Sequence, residues 1–156
     1  MHQIIIIGTI PPCPRCKLLT EIVTVKAKLL KLDADVRHIS YTSEDAAELA
    51  GKVNLLPGTA KDVAKLIGRE INLENMPKSA ESKELGFLNE LEANLKQFEG
   101  LFREVNILDN WLRPFENQAK DVGILMTPVL IINGSIRHNG SVPDLALIDG
   151  WLSELE

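Results

Sequence analysis

A run of four isoleucines at residues 4–7 stands shortly before the two cysteines of the chain, and together these features limit the folds that the sequence can adopt. An unbroken β-branched run, closed here by Gly8, is typical of a strand covered on both faces, and we assign this strand to residues 3–8. After the Cys-Pro-Arg-Cys motif at residues 13–16, apolar residues recur every three or four positions, which predicts an amphipathic helix over about 14–32. The sequence therefore predicts a buried strand followed by a helix that begins at the cysteines.

The position of the first cysteine predicts its chemistry. Cys13 falls near the N-cap of the predicted helix, and Pro14 occupies the first helical position, where its missing N–H costs no hydrogen bond. The helix dipole and the unpaired N–H groups at this end favour an anion, and the charge of Arg15 adds to them, so a thiolate at Cys13 would be stabilised. Cys16 follows one turn later, close enough to form a disulfide. In the alternative interpretation, Arg15 is a solvated surface residue.

Length and charge limit the domain organisation and the partners. With 156 residues, we expect a single domain over residues 1–156. The formal net charge of -5 and the absence of a Lys/Arg cluster predict no nucleic-acid partner. No apolar stretch approaches the roughly 20 residues that span a bilayer, and the first residues lack the features of a signal peptide, so we expect no membrane partner and a cytoplasmic location. There, a lone Cys-x-x-Cys motif is more often catalytic or metal-binding than a structural disulfide.

Further strands are predicted near both ends of the chain. Residues 35–41 alternate in the pattern of a second strand, and a strand–helix–strand unit of this size implies a parallel pair. An apolar strand at 129–132 is followed by an Asn-Gly pair, which is a strong hairpin signal, and by a returning strand at 135–138. A last helix is predicted to start at Ser141 and to continue to about residue 155.

The middle of the chain, residues 43–124, is predicted to be mainly helical. We expect a helix capped by Ser43, a loop over 51–58, a helix over 60–68 capped by Thr59, a break at 75–79, a boundary or kink at Pro114 and a short helix over 115–122. Six apolar residues at three- and four-residue spacing form a seam on one face of a further helix: Leu88, Leu91, Leu95, Phe98, Phe102 and Val105. The seam is too short for a coiled coil, so we expect it to pack on the sheet and to shape the groove over Cys13, with a dimer interface as the alternative. A charged run at 81–92 is interpreted as a solvated helix face.

The order of these elements resembles the thioredoxin superfamily. A strand, a Cys-x-x-Cys motif at a helix start and a second strand are followed, near the C-terminus, by Thr127-Pro128 opening a hairpin and by a final helix. The family core is a βαβ unit and a ββα unit in one four-stranded sheet, and the matching parts are residues 3–41 and 126–154. The resemblance implies an α/β, thioredoxin-like sheet with residues 43–124 as a helical insertion between its second and third strands. This layout is similar to the disulfide-oxidase and kappa-class branches.

The resemblance also implies an activity, that of a thiol-disulfide oxidoreductase. Cys13 would attack a substrate disulfide, Cys16 would release the reduced substrate, and Pro14 and Arg15 would tune the thiolate. The redox-active Cys13–Cys16 disulfide would need no cofactor. The substrate would be a disulfide-containing protein or a low-molecular-weight thiol, with a reductase or a thiol pool as electron donor. Because the cytosol is reducing, we expect the protein to act as a reductase.

The start of the predicted hairpin supplies the residues implied for substrate binding. In the family, a cis-proline before this strand lies against the cysteines, and the backbone beside it pairs with the bound peptide; the matching residues are Pro128 and Thr127. The sequence departs from the family pattern in two places. Two prolines precede Cys13 in place of tryptophan-glycine, and the first strand supplies no buried carboxylate. A water or a group from the insertion would therefore accept the proton of Cys16.

Two other interpretations of the cysteines stay open. The chain could be a redox sensor or adaptor of thioredoxin-like fold that does not turn over substrates. The cysteines could instead bind a metal, but zinc takes four ligands, and the three histidines, His2, His38 and His138, do not stand at ligand spacing. We therefore expect no metal site within one chain, and a metal or cluster shared between two chains is the further alternative.

Overall fold

The computed structural model describes residues 1–78 and 86–156, which form a mixed α/β fold. The strands are β1 (His2–Gly8), β2 (Ala34–Ser40), β3 (Leu56–Gly58), β4 (Ile124–Met126), β5 (Val129–Ile132) and β6 (Ser135–Asn139). The α-helices are α1 (Pro14–Leu29), α2 (Glu44–Gly51), α3 (Ala60–Leu66), α4 (Glu99–Gln118) and α5 (Leu145–Ser153). Short 3₁₀ segments occupy Leu73–Asn75, Gly86–Glu90, Ala93–Phe98 and Lys120–Val122.

Four of the strands form one sheet in the order β2-β1-β5-β6. β1 and β2 run parallel, as the strand–helix–strand unit predicts, and their register places Ile6 opposite His38. β5 lies antiparallel to β1 on its other side, and β6 returns antiparallel to β5. The turn between β5 and β6 is formed by Asn133 and Gly134, which both have positive φ, the conformation that favours this residue pair. The four strands predicted from the sequence are therefore all present in one sheet.

β1 is covered on both faces, as its run of isoleucines predicts. Ile4 and Ile6 pack in one hydrophobic cluster with α1 and α5, whereas Ile7 packs on the opposite face with α2 and β4. Side chains alternate between the two faces of a strand, so a strand with layers on both sides needs apolar residues at consecutive positions. All three isoleucines are fully buried, which makes β1 the centre of the core.

The apolar seam does not lie on a single helix, and this part of the prediction is wrong. Leu88 and Leu95 belong to two separate 3₁₀ segments, and α4 begins only at Glu99. Apolar residues three or four positions apart still face the core in each segment. A 3₁₀ helix has about 3.0 residues per turn and an α-helix has about 3.6, so both place such residues on the same side. Five of the six seam side chains are buried in the cluster that contains α1 and the sheet, with Phe98 packed against it. The expected packing on the sheet is confirmed.

Two boundaries in the middle of the chain also differ from the prediction. The expected loop over 51–58 contains β3, which pairs in parallel with β4 to form a second, two-stranded sheet. Pro114 is not a helix boundary, since α4 continues through it to its end at Gln118. Pro114 lies on the exposed side of the helix, where solvent can satisfy the carbonyl that its ring leaves without a donor. The expected helix over 115–122 is therefore the end of α4 followed by the last 3₁₀ segment.

The helix caps are partly as predicted. The side chains of Ser43 and Thr59 accept backbone hydrogen bonds at the starts of α2 and α3, which confirms both caps. The last helix, however, begins after Asp144, later than predicted. Ser141 does not cap it, because its hydroxyl is buried and donates to Glu116 Oε1 at 2.7 Å.

Two expectations fall partly on residues 79–85, which lie outside the described residues. Of the expected break at 75–79, the structure describes the end of the 3₁₀ segment at Leu73–Asn75 and the residues up to 78. In the charged run at 81–92, Glu92 forms a salt bridge with the buried Lys26, and its Oε1 lies 3.1 Å from Lys26 Nζ. This glutamate therefore ties the middle of the chain to α1, in addition to facing solvent.

Candidate active site

Cys13 is the N-cap residue of α1, and Pro14 is the first residue of the helix, as predicted. The backbone N–H of Cys16 points at the sulfur of Cys13, 3.5 Å away. The N–H of Cys13 itself donates to Thr9 Oγ1 at 2.9 Å, which fixes the loop before the helix. The Cys13 sulfur therefore lies at the helix terminus where free N–H groups and the helix dipole favour negative charge.

The two cysteines form a close but unequal pair of free thiols. Their sulfur atoms are 3.2 Å apart. Cys13 is partly exposed, whereas Cys16 is fully buried behind it. A disulfide substrate can therefore approach Cys13, and Cys16 is placed to react with the sulfur of Cys13 alone.

The surroundings move the pKa values of the two thiols in opposite directions. The hydrogen bond from the Cys16 side chain lowers the pKa of Cys13 to about 6, and the charge of Arg15 acts in the same direction, against the opposing effect of burial. The same sulfur–sulfur contact, together with burial, raises the pKa of Cys16. At neutral pH the pair therefore holds one proton, which stays on Cys16, and Cys13 is a thiolate.

Arg15 is buried, which excludes the alternative of a solvated surface side chain. Its Nε donates to Asp109 Oδ1 at 2.7 Å, and its guanidinium also donates to the carbonyl of Gly140. The other carboxylate oxygen of Asp109 accepts the N–H of Val142 at 3.1 Å. Burial raises the pKa of Asp109, and the charge of Arg15 opposes this effect. Arg15 therefore interacts both with the Cys13 thiolate and with a carboxylate of α4.

The peptide bond between Thr127 and Pro128 is cis, the isomer that the resemblance implies. Pro128 is buried, and its carbonyl accepts the N–H of Gly140 at 3.0 Å. Gly140 is also the residue whose carbonyl accepts a hydrogen bond from Arg15. Thr127 is buried as well, and its N–H donates to the carbonyl of Gly58 in β3 at 2.9 Å. The proline segment is thus linked to the cysteine motif through Arg15.

A groove of about 600 Å³ opens beside Cys13, Pro14, Arg15 and Thr127, so the structure brings these four predicted site residues together. Its apolar lining comes from α4 and from the segment after α3: Ile71, Leu73, Met76, Leu108, Trp111 and Leu112. The seam at residues 88–105 was expected to shape this groove, and none of its six residues lines it. The expectation is wrong because the seam faces the sheet. The three- and four-residue spacing continues beyond Val105 to positions 108 and 112, and these two residues do line the groove.

Three other residues near the cysteines were not predicted as parts of the site. Asp109 meets Arg15 across 94 positions of the chain, so no local pattern indicates the contact. The other two are Gly8 and His38: a Cβ on Gly8 would lie 2.5 Å from Cys16 Sγ and 2.7 Å from His38 Nε2. The predicted alternation of β2 places His38 on one face, but the register that brings it near Cys16 is visible only in the assembled sheet.

Within residues 1–78 and 86–156, no group of three or more His, Cys, Asp or Glu side chains is arranged to hold a metal ion. In the same part of the chain, no helix combines the length and the apolar character that crossing a membrane requires. Comparisons with protein-family models, with curated proteins and with solved structures find no match to this chain. The function is therefore inferred from the geometry of the cysteine site.

The lowered pKa of Cys13 predicts how alkylation depends on pH. We expect the reaction of iodoacetamide with Cys13 to reach half its maximal rate at a pH of about 6, because the thiolate is the reactive form. Mass spectrometry of the reduced protein after timed alkylation measures this rate at each pH. A pH dependence like that of an ordinary free cysteine would contradict the thiolate.

Two substitutions of Cys16 form a matched control for this measurement. Cys16→Ser keeps a hydroxyl donor beside Cys13, so the half-maximal pH should change little. Cys16→Ala removes the donor and should raise the half-maximal pH, since the hydrogen bond from Cys16 is the largest cause of the lowered pKa of Cys13. Equal shifts in the two variants would show that this hydrogen bond is not the cause.

The ion pair predicts opposite effects of its two members on the reduction potential. Arg15→Gln removes a charge that lowers the pKa of Cys13, so the protein should become less oxidising, by about 30 mV for each pKa unit. Asp109→Asn leaves the charge of Arg15 without its carboxylate partner, so the protein should become more oxidising. Equilibration with glutathione buffers measures both potentials. Equal potentials in the two variants would show that the charge of Arg15 does not stabilise the thiolate.

The double variant Arg15→Gln/Asp109→Asn is the control for this comparison. Arg15→Gln alone leaves a buried carboxylate without its counter-charge, which costs about 3–5 kcal/mol. The double variant has two neutral side chains that can hydrogen-bond, so it should recover most of this loss in urea unfolding and have an intermediate potential. If it is as unstable as Arg15→Gln, the hydrogen bond to Gly140 matters more than the charge pair.

Proposed function

We propose that this protein is a thiol-disulfide oxidoreductase of thioredoxin-like fold, in which Cys13 attacks a disulfide and Cys16 resolves the product. The observation that carries the proposal is the inequality of the thiol pair. Cys13 is partly exposed with a pKa lowered to about 6, and its sulfur lies 3.2 Å from the buried Cys16, whose pKa is raised. Exchange needs one reactive thiolate and one protected partner, whereas a purely structural pair of cysteines needs no such difference.

The arrangement of the elements supports the thioredoxin-like part of the proposal. β1, α1 and β2 form a parallel unit, β5, β6 and α5 follow as an antiparallel hairpin and a helix, and the sheet order is β2-β1-β5-β6. The elements between β2 and β5 then correspond to an insertion, which includes β3 as well as helices.

The reaction would proceed in two exchange steps. In the first, the Cys13 thiolate attacks one sulfur of the substrate disulfide, a Cys13–substrate disulfide forms, and the other substrate sulfur leaves as a thiolate. In the second, Cys16 loses its proton and attacks Cys13 Sγ, which breaks the mixed disulfide and releases the second substrate thiolate. Two electrons have then passed to the substrate. The resulting Cys13–Cys16 disulfide is reduced again by a thiol pool or a reductase.

The groove beside Cys13 favours a polypeptide substrate. Its apolar lining from Leu108, Trp111 and Leu112 can bury an apolar side chain next to the substrate disulfide. Thr127 lines the same groove, and its N–H already donates to the carbonyl of Gly58. A backbone contact between the bound chain and Thr127 would therefore use the Thr127 carbonyl.

Reduction of insulin by dithiothreitol tests the proposed activity. The wild type should accelerate the precipitation of insulin, and Cys13→Ser should return the rate to that of dithiothreitol alone, because the attacking thiolate is gone. Cys16→Ser should accumulate mixed disulfides that dithiothreitol releases, because no second thiol resolves them. A wild type whose cysteines form a reversible disulfide without accelerating insulin reduction would contradict the enzyme and favour the redox sensor.

The groove predicts which substrates are lost when its wall is altered. Trp111→Ala should raise KM for insulin about tenfold, equivalent to about 1.4 kcal/mol of lost contact, and should leave the rate with hydroxyethyl disulfide unchanged because that molecule does not fill the groove. The matched control is Trp151→Ala, since Trp151 packs against the main core outside the groove. An equal loss with both substrates would contradict a role of the groove in substrate choice.

A further inference from the structure

The second exchange step requires that Cys16 lose a proton which its surroundings hold firmly. Cys16 is fully buried, and the contact with Cys13 together with burial raises the pKa of its thiol. Once Cys13 is bound to substrate, its thiolate is gone and so is the hydrogen bond that holds this proton. Because the sulfur is buried, direct transfer of this proton to bulk solvent is slow, and a proton-accepting group inside the protein would speed it.

The structure brings one such group close to the sulfur. Gly8 follows Ile4 and Ile6 on the face of β1 that is turned toward α1. A Cβ on Gly8 would lie 2.5 Å from Cys16 Sγ and 2.7 Å from His38 Nε2. His38 stands opposite Ile6 in the parallel register, so its side chain shares the same face. The sulfur and the ring nitrogen therefore both lie against the backbone of Gly8, at the position that a side chain there would occupy.

The ring nitrogen of His38 has no hydrogen-bond partner among the described residues. His38 Nε2 is buried without a hydrogen bond, although leaving a buried polar group unpaired costs about 1–3 kcal/mol. Such a group in a native protein calls for an explanation, and a catalytic role is one of the recognised ones. The residue as a whole is only partly buried. The ring thus extends from the buried Cys16 thiol toward solvent.

We propose, building on the proposed function, that His38 is the general base of the resolving step. His38 Nε2 accepts the proton of the Cys16 thiol, directly or through one water, while the Cys16 sulfur attacks Cys13 Sγ. The Cys16 S–H bond breaks, the Cys13–Cys16 disulfide forms, and the substrate sulfur leaves with the electron pair of the mixed disulfide. The imidazolium then returns its proton to solvent. The missing side chain of Gly8 allows the sulfur and the ring nitrogen to come close to each other.

The groups around this pair are compatible with the role. From α1, the pair is faced by Cys16, with Cys13 and Arg15 beside it, and the charge of Arg15 favours the Cys16 thiolate. From β1, the facing residue is Gly8, which has no side chain. Burial lowers the pKa of His38 below its ordinary value of 6.5. The ring is therefore neutral at neutral pH and can accept a proton.

The chromogenic aromatic disulfide DTNB separates the two steps. It releases one coloured thiolate when Cys13 attacks and a second when Cys16 resolves, so stopped-flow absorbance of the reduced wild type should show a fast and a slow phase. His38→Gln should slow the second phase at least about tenfold at neutral pH and leave the first unchanged. The deficit should shrink as the pH rises, because hydroxide replaces the base. His2→Gln, at the other end of β1, is the matched control and should change neither phase.

The pH profile of the wild-type slow phase is a second measurement that needs no variant. With His38 as the base, the rate rises through the pKa of His38 and is then flat around neutral pH. Without a base, the rate rises about tenfold for each pH unit until Cys16 itself ionises. A wild-type rate that rises about tenfold for each pH unit, without a flat region, overturns the assignment of His38 as the base. So does a His38→Gln variant that matches the wild type, or one that is slowed equally at every pH, since an equal slowing indicates only a structural role.

The fast phase keeps the two proposals apart. A wild type without a fast phase, or a fast phase that survives in Cys13→Ser, contradicts the proposed function itself. In the other case, the fast phase requires Cys13 while the rate of the slow phase is the same with and without His38. That result overturns the role of His38 and leaves the proposed function intact.

Discussion

The ion pair between Arg15 and Asp109 holds the cysteine motif against the middle of the chain, and the geometry of the site depends on it. The guanidinium reaches from the start of α1 to α4 and to the carbonyl of Gly140, whose N–H in turn is bonded to Pro128. One side chain therefore joins three parts of the chain that are far apart in sequence. Removing one member of a buried pair is far more damaging than replacing both, so the pair constrains how these elements are arranged relative to Cys13.

The difference between the two thiols arises from one short contact placed at a helix terminus. A shared proton between Cys13 and Cys16 stabilises the outer sulfur as an anion and keeps the inner one protonated. In the proposed reaction, this contact would be lost when the outer sulfur is bound to a substrate, and the inner thiol would then give up its proton more readily. The apolar groove and the thiolate lie side by side, so in the proposed reaction a polypeptide bound in the groove would present its disulfide to Cys13.

Features that depend on neighbouring residues could be predicted from the sequence, and features that depend on assembly could not. The isoleucines of β1, Pro14 at the helix start and the Asn-Gly hairpin each have a local physical cause, and each appears in the structure. The seam at 88–105 was correctly assigned to the core, but its spacing does not distinguish 3₁₀ turns from one helix. The contact between Arg15 and Asp109, and the position of His38 beside Cys16, require a knowledge of helix placement and strand register that no local pattern contains.

The absence of a side chain at Gly8 has a consequence for how this protein can vary. A core isoleucine such as Ile6 can be exchanged for a smaller apolar residue at a modest cost, since Ile→Val in a core typically costs about 0.5–1.5 kcal/mol. At position 8 even an alanine methyl would stand closer than 3 Å to both Cys16 Sγ and His38 Nε2. Mutational tolerance in β1 therefore falls abruptly at its last residue, because Cys16 Sγ and His38 Nε2 already occupy the volume that any side chain there would need.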